Sequence, residues 1–355
     1  MIIWREGVVA ERGTSWTGVQ ELTVTIDNAH VRALAYSGLV GDPQVGDRVL
    51  VTTAALERGL GTGGYGFVVA LPERLPADPQ PAPGHLVKAR YTPLQTLVLG
   101  VDEQESEHHD LLREADDLAG LPVVVADLHS ALPAIVAGIR TVRPDARVVY
   151  VMTDGGALPV WFSRAVAGLR EAGWLAASVT VGQAFGGDVE AVSLHSGLLA
   201  ARLVLAADVV VVTQGPGNLG TGTRWGFSGV AAGDAVNAIA TLGGRPVASL
   251  RVSEADPRER HRGVSHHSLT AYGRVALAAA DVVVPALEGE IGELVRTQAR
   301  ALGDRHTLVS VAVDGLQDAL RASPVRLSTM GRDLDADVTP FLAAAAAGVH
   351  AANLA

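Results

Sequence analysis

Residues 255–268, ADPRERHRGVSHHS, set Arg258, Arg260 and Arg262 beside His261, His266 and His267. Guanidinium forks bind oxyanions in pairs, so this arginine spacing suits a phosphate or carboxylate. The same charges equally describe a solvated run paired with Glu254, Asp256 and Glu259. Ser265 reads as the N-cap of a helix, HHSLTAYGRVALAAA, with His266 and His267 in its first turn. The positive helix end disfavours imidazolium and leaves a neutral ring that can accept a proton, donate a hydrogen bond or ligate a metal. Successive helical residues point about 100° apart, so the two rings are not expected to meet one atom. One of the pair then does chemistry, and the other packs or caps.

Upstream, VVVVTQ runs into GPGNLGTGTRWGFSGV, with Gly215, Gly217 and Gly220 in G-x-G-x-x-G spacing. The dinucleotide fingerprint wants a helix to open inside that motif and an acid about 20 residues on. Here the loop continues past Gly226 and Gly229 to a helix capped by Ser228, and the first acid ending the next strand is Glu254. Backbone N–H groups with the hydroxyls of Thr221 and Thr223 still suit an anion. The alternative is a crossover loop that packs tightly.

Other candidates follow apolar runs. Asp127 and His129 follow PVVVAD, sharing a side if the strand extends that far, and Asp154 opens the turn TDGGALP, with Pro159 starting a helix. Asp127, His129 and Asp154, with a distant histidine, make a stereochemically reasonable divalent metal site. Asp188 reads as a helix N-cap.

The elements that must position these groups fall into two textures. Residues 1–71 give five short β segments (IIWREGVVA, QELTVTID, HVRALAY, DRVLVTTA, GYGFVVAL) separated by turns such as GTGG, a small β-barrel-like domain. Residues 72–93 hold six of the 17 prolines and read as a stiff linker. From 94 to 324, apolar runs alternate with helix-period segments: TLVLGVD, PVVVAD, RVVYVMTD, LAASVTVG, ADVVVVTQ, RPVASLRVS, DVVVP and HTLVSVAVD. That alternation predicts an α/β domain, a parallel sheet with helices on both faces. A doubly wound sheet is expected, with an eight-stranded β/α barrel as the alternative. In both, ligands bind beyond the carboxyl ends of the strands. Residues 325–355 form a tail ending in an alanine-rich docking helix.

Composition excludes several chemistries. The chain of 355 residues has no cysteine, so thiolate nucleophiles, thiolate zinc sites and iron–sulfur clusters are out. Lys88 is its single lysine and lies outside any predicted core element, which removes pyridoxal phosphate and the P-loop lysine. A net charge of −10 argues against nucleic acid and anionic membrane as partners. With no leader or long apolar span, a cytoplasmic setting is expected. A homo-oligomer stays open.

Taken in order after a small β domain, YVMTDGGALP, QAFGGDVEAV, GPGNLGTGTRWGFSGV and ADPRERHRGVSHHSLT resemble a bacterial family, domain of unknown function family 3866. The resemblance implies a bacterial cytosolic setting and ties these segments into one unit, but no assigned activity. The residues point to a hydrolase or group transferase acting on a small anionic, phosphorylated metabolite. The glycine loop and Arg258 to Arg262 hold the anion, His266 or His267 does acid/base work, and Asp127 or Asp154 orients the histidine, acts as base or holds a metal. A non-catalytic nucleotide or metabolite sensor, with the β domain as scaffold, is the alternative.

Overall fold

A computed structural model describes residues 1–60 and 63–355; Gly61 and Thr62 of the GTGG turn lie outside the described residues. Two compact units divide the chain, Met1–Val98 and Leu99–Ala355.

In the first unit, β1 (Trp4–Trp16), β2 (Val19–Ile26), β3 (Ala29–Tyr36), β4 (Arg48–Thr52) and β5 (Gly66–Ala70) close into a barrel ordered β1-β2-β3-β5-β4. Alternate residues of β2 turn Leu22, Val24 and Ile26 inward, where they meet Val9, Ala33, Val49 and Val51. The proline-rich stretch contains β6 (Leu86–Lys88), which pairs with β7 (Thr96–Val98). The TLV run therefore does not join the large sheet. Lys88, expected outside any core element, is buried on β6.

The second unit is built on eight parallel strands: β8 (Pro122–Val125), β9 (Val148–Thr153), β10 (Ala177–Thr180), β11 (Val189–Glu190), β12 (Val209–Gln214), β13 (Arg245–Ser249), β16 (Asp281–Pro285) and β17 (Thr307–Val311). Between β13 and β16 a two-stranded ribbon, β14 (Val252–Ser253) and β15 (Gly263–Val264), projects from the sheet order. The spatial order is β11-β10-β9-β12-β8-β13-β16-β17. The sheet is open, so the closed β/α barrel is not the fold. Every residue of β12 is buried, because both faces of the sheet are covered. The short β11, too brief for an apolar run, completes the eight.

That order sets the functional geography. From β8 the chain runs to β9 and outward to β11; β12 then returns beside β8, and β13 is laid on β8's other side. The carboxyl ends of β8, β12 and β13 thus flank the point where the winding reverses, where open α/β sheets bind ligands. The Tyr272 hydroxyl sits between two of these ends, 2.9 Å from Val125 O and 3.2 Å from Ser249 O.

Helices α1 (Leu132–Val142), α2 (Arg164–Glu171), α3 (Leu194–Leu203), α4 (Ala232–Thr241), α5 (His266–Thr270), α6 (Gly289–Ala299), α7 (Leu316–Arg321) and α8 (Thr339–Leu354) complete this unit. Helix α8 packs on α1 and over β8, β13 and β16. The two helices meet backbone to backbone. A Cβ on Gly138 would stand 2.0 Å from Ala345 O, and one on Gly348 2.0 Å from Ile135 O.

Several local expectations resolve differently. Ser193, in a capping box with Ser196, starts α3, whereas Asp188 binds the backbone N–H and hydroxyl of Ser178 and pairs with Arg170. Ser163 rather than Pro159 leads α2, accepting the Val166 N–H. Ser228 opens a 3₁₀ turn ahead of α4 and spends its hydroxyl on Leu219 N–H and Asn218 Oδ1. For Asp188 and Ser228 a nearby partner outcompetes the helix end for the side chain, while after Pro159 a 3₁₀ turn, Val160–Phe162, comes before the helix.

Candidate functional site

Asp127 follows β8, which ends at Val125, and His129 already begins a 3₁₀ turn, so the strand does not carry both to one side. Asp127 is buried beneath the turn at Ser228–Ala231, whose Gly229 permits the approach: a Cβ there would lie 2.9 Å from Asp127 Cβ. From β12, Gln214 reaches across, its Nε2 donating to Asp127 O at 2.7 Å. From β13, Arg251 brings Nη1 to 3.9 Å from Asp127 Oδ2 and donates to His267 Nδ1 at 3.1 Å. His267 Nδ1 lies 3.6 Å from the same carboxylate oxygen. Burial pulls the Arg251 guanidinium down from its ordinary value, against the charge of Asp127.

The ribbon and α5 deliver three imidazoles. Residues 254–262 connect β14 to β15 and end in a 3₁₀ turn that buries His261. Ser265 caps α5 as the spacing predicts, its hydroxyl accepting His267 N–H and lying 2.7 Å from His261 Nδ1. The helix covers only His266–Thr270 before a π turn. The ring centroids of His266 and His267 nevertheless lie only 4.4 Å apart, and that of His261 lies 4.9 and 5.0 Å from them. At the first turn of so short a helix, side-chain rotation overcomes the backbone offset, and both rings lean toward His261. One ligand-capable atom of each ring falls within 4.8 Å of the other two. Among the described residues, this is the one group of three or more such side chains with that spacing.

Phe227 fixes the third ring, stacking on His267 with centroids 3.8 Å apart and planes 4° from parallel. Burial, then Arg251, Arg258 and His267, push His261 down to about 3; burial, then His267 and three arginines, push His266 down to about 4. Both rings are neutral at neutral pH.

The glycine loop closes on itself. Gly215 donates to Thr153 O, packing so tightly that a Cβ would sit 2.3 Å from Ala157 O. Gly217 has a φ of +94°, and Gly220 bridges antiparallel to Phe227. Thr221 Oγ1 lies 3.1 Å from Thr223 Oγ1, and the two hydroxyls bond Gly226 O and Gly226 N–H. These bonds place Phe227 against His267. Arg260 lies across it, Nη2 3.9 Å from where a Gly222 Cβ would stand. Arg258 is committed to Asp256 at 2.9 and 2.8 Å, and Arg262 is exposed. Arg332 also binds Asp256 at 3.1 Å, and its neighbours hold that carboxyl well below the usual range.

Two nominated residues have other partners. His129 sits 2.9 Å from Tyr150 Oη and 2.7 Å from Ser163 Oγ, and burial pushes it down to about 4. Asp154 is exposed and accepts Gln183 N–H at 3.0 Å. The structure therefore brings together Asp127, His266 and His267, connects His129 to Asp127 only through Tyr150 and Gln214, and leaves Asp154 on its own partner. Sequence reasoning did not nominate Arg251, Arg332, Gln214 or Phe227; only their positions at strand ends and in the loop signalled them.

Beside Asp127 a small, partly open cleft is lined by Ser130, Arg251, Ser253, Thr329 and Arg332. Among the described residues, four side-chain atoms are buried without a hydrogen-bond partner: Asp127 Oδ2, Gln214 Oε1, His266 Nε2 and Arg332 Nε. All four belong to this neighbourhood. Gln214 bonds Asp127, His267 links Asp127 to His266, and Arg332 shares the cleft. No helix is long and apolar enough to cross a membrane among the described residues. A family model described as "Protein of unknown function (DUF3866)" matches residues 32–348, and no curated protein matches the chain.

Proposed function

Because the chain belongs to the DUF3866 family of proteins of unknown function, which brings no reaction with it, we propose one from the site: a hydrolase or group transferase acting on a small anionic, phosphorylated metabolite. The observation that carries this reading is the gathering, at the winding reversal of the sheet, of four buried polar atoms that make no hydrogen bond, two of them (Asp127 Oδ2 and Arg332 Nε) held only by longer ion pairs. Buried polar groups are nearly always satisfied, and leaving one unmet costs about 1–3 kcal/mol. A cluster of such groups in one place marks where a ligand supplies the missing partners.

Arg251 and Arg332 line the cleft, one facing Asp127 and the other bound to Asp256, and an incoming anion would compete with those carboxylates for the two guanidinium groups. Asp127 lines the cleft, and His267 beside it, with neutral His266 next to His267, would take or orient a proton. Arg260, overhanging the glycine loop, adds charge at the rim.

Thermal-shift measurements with inorganic phosphate, sugar phosphates and nucleotides, followed by turnover assays on any stabilising compound, test the proposal. Consumption of a stabilising phosphate compound, lost in Asp127→Asn and His266→Gln and weakened in binding in Arg332→Gln, is the expected result. Stabilisation without consumption would instead favour a sensor. Absence of a shift with any anion would sink the phosphate reading.

A further inference from the structure

We propose that His261, His266 and His267 form a three-imidazole site for a divalent cation of the zinc type. The three rings converge from a ribbon turn and the start of α5, with candidate donor atoms within 4.8 Å of one another. Zinc holds nitrogen at about 2.0–2.1 Å, so closing the set needs each ring to move by less than about 1 Å. Three protein ligands leave a fourth position for water or a substrate oxygen, the arrangement of catalytic rather than structural zinc.

Of the outer nitrogens, His261 Nδ1 already has a suitable partner, whereas His267 Nδ1 must exchange the donor Arg251 for an acceptor. His261 Nδ1 lies against Ser265 Oγ, so a proton on Nδ1 frees Nε2 for the cation. His266 Nε2 is buried and lacks a partner. His267 Nδ1 accepts from Arg251, while Asp127 Oδ2 at 3.6 Å has no donor. Once His267 Nε2 is on a cation, its Nδ1 carries the proton, and Asp127 Oδ2 is the acceptor placed to receive it. That is the carboxylate–histidine pairing that orients metal-bound imidazole. It also explains why a buried carboxylate oxygen stands unsatisfied. Nearby cationic charge is partly spoken for, since Asp256 holds Arg258 and Asp127 faces Arg251.

Binding of the cation stands on these residues alone; its part in turnover rests on the function proposed above. The test uses the full chain, freed of metal by chelation and titrated with Zn²⁺ and Co²⁺ alone. Expected are one equivalent bound, the intense visible absorption of tetrahedral Co²⁺, and a rise in thermal midpoint. Asp127→Asn should weaken binding by roughly 10–100-fold, as loss of an outer partner does, and His266→Gln by more. His108→Gln, in a separate segment, should leave binding unchanged. Should His261→Gln fail to fold, His266→Gln, at a half-buried position, keeps the test. Absence of stoichiometric binding, or equal binding by His266→Gln and the parent, overturns the proposal. Phosphate turnover without cation binding would remove this site and leave the function; cation binding without any anion effect would do the reverse.

Discussion

Acid should destabilise the α/β unit through His129, which the chain places in a neutral hydrogen-bond relay. With the ring's N–H on the Nδ1 side, toward Tyr150 Oη and the Gln214 carbonyl, Nε2 accepts the proton of Ser163 Oγ, which itself accepts the Val166 N–H. Protonation would turn Nε2 into a donor facing a hydroxyl that must then surrender its own bond, and would bury the charge. The ring lies at about 4 in the folded protein against an ordinary 6.5. Between those values the unfolded chain binds more protons, so the stability in question is present above pH 6.5 and lost as pH falls through 4. At about 1.4 kcal/mol per unit, the loss is about 2 kcal/mol by pH 5 and on the order of 3 kcal/mol by pH 4. Urea unfolding of the parent and of His129→Gln, followed by helical circular dichroism from pH 7 to 5, isolates this contribution, because other buried histidines act in both. The parent should lose about 2 kcal/mol more than the variant over that range. Parallel pH dependences, or an NMR midpoint for the His129 ring near 6.5, would refute the reasoning.

Two substitutions probe packing and charge. Gly348→Ala should destabilise by about 1–3 kcal/mol in chemical unfolding, despite alanine's better helix propensity, because its Cβ meets the Ile135 carbonyl rather than a movable side chain. Asp256→Asn should cost about 3 kcal/mol, since Arg258 and Arg332 then share a neutral partner in a buried position; the midpoint of urea unfolding measures it.

Strand identity was legible wherever a run was long and apolar, as in VVVVTQ, because a strand covered on both faces cannot afford polar alternation. Val189–Glu190 was not, being held by pairing with β10 and by Glu190's bond to Thr180 rather than by its own pattern. The histidines and arginines of RERHRGVSHH were visible as chemistry. Their relation to Asp127 was not, because it depends on β8 lying between β12 and β13, an order that no local pattern encodes. The glycine loop is legible for its backbone N–H groups and the hydroxyls of Thr221 and Thr223, but not for Phe227, the aromatic face it sets against His267. Arg251 looked like one arginine among many; only its burial beside Asp127 distinguishes it.

The close seat of α8 on α1 has a consequence for biosynthesis. All eight strands precede α8 in the chain, yet that helix covers β8, β13 and β16 and touches α1 about two hundred residues earlier. While a ribosome is still making the residues before Thr339, the sheet can pair, but the apolar surface of β8, β13 and β16 that α8 covers stays bare. Such a face invites aggregation, so the nascent chain depends on chaperone cover or rapid completion until the alanine-rich helix emerges.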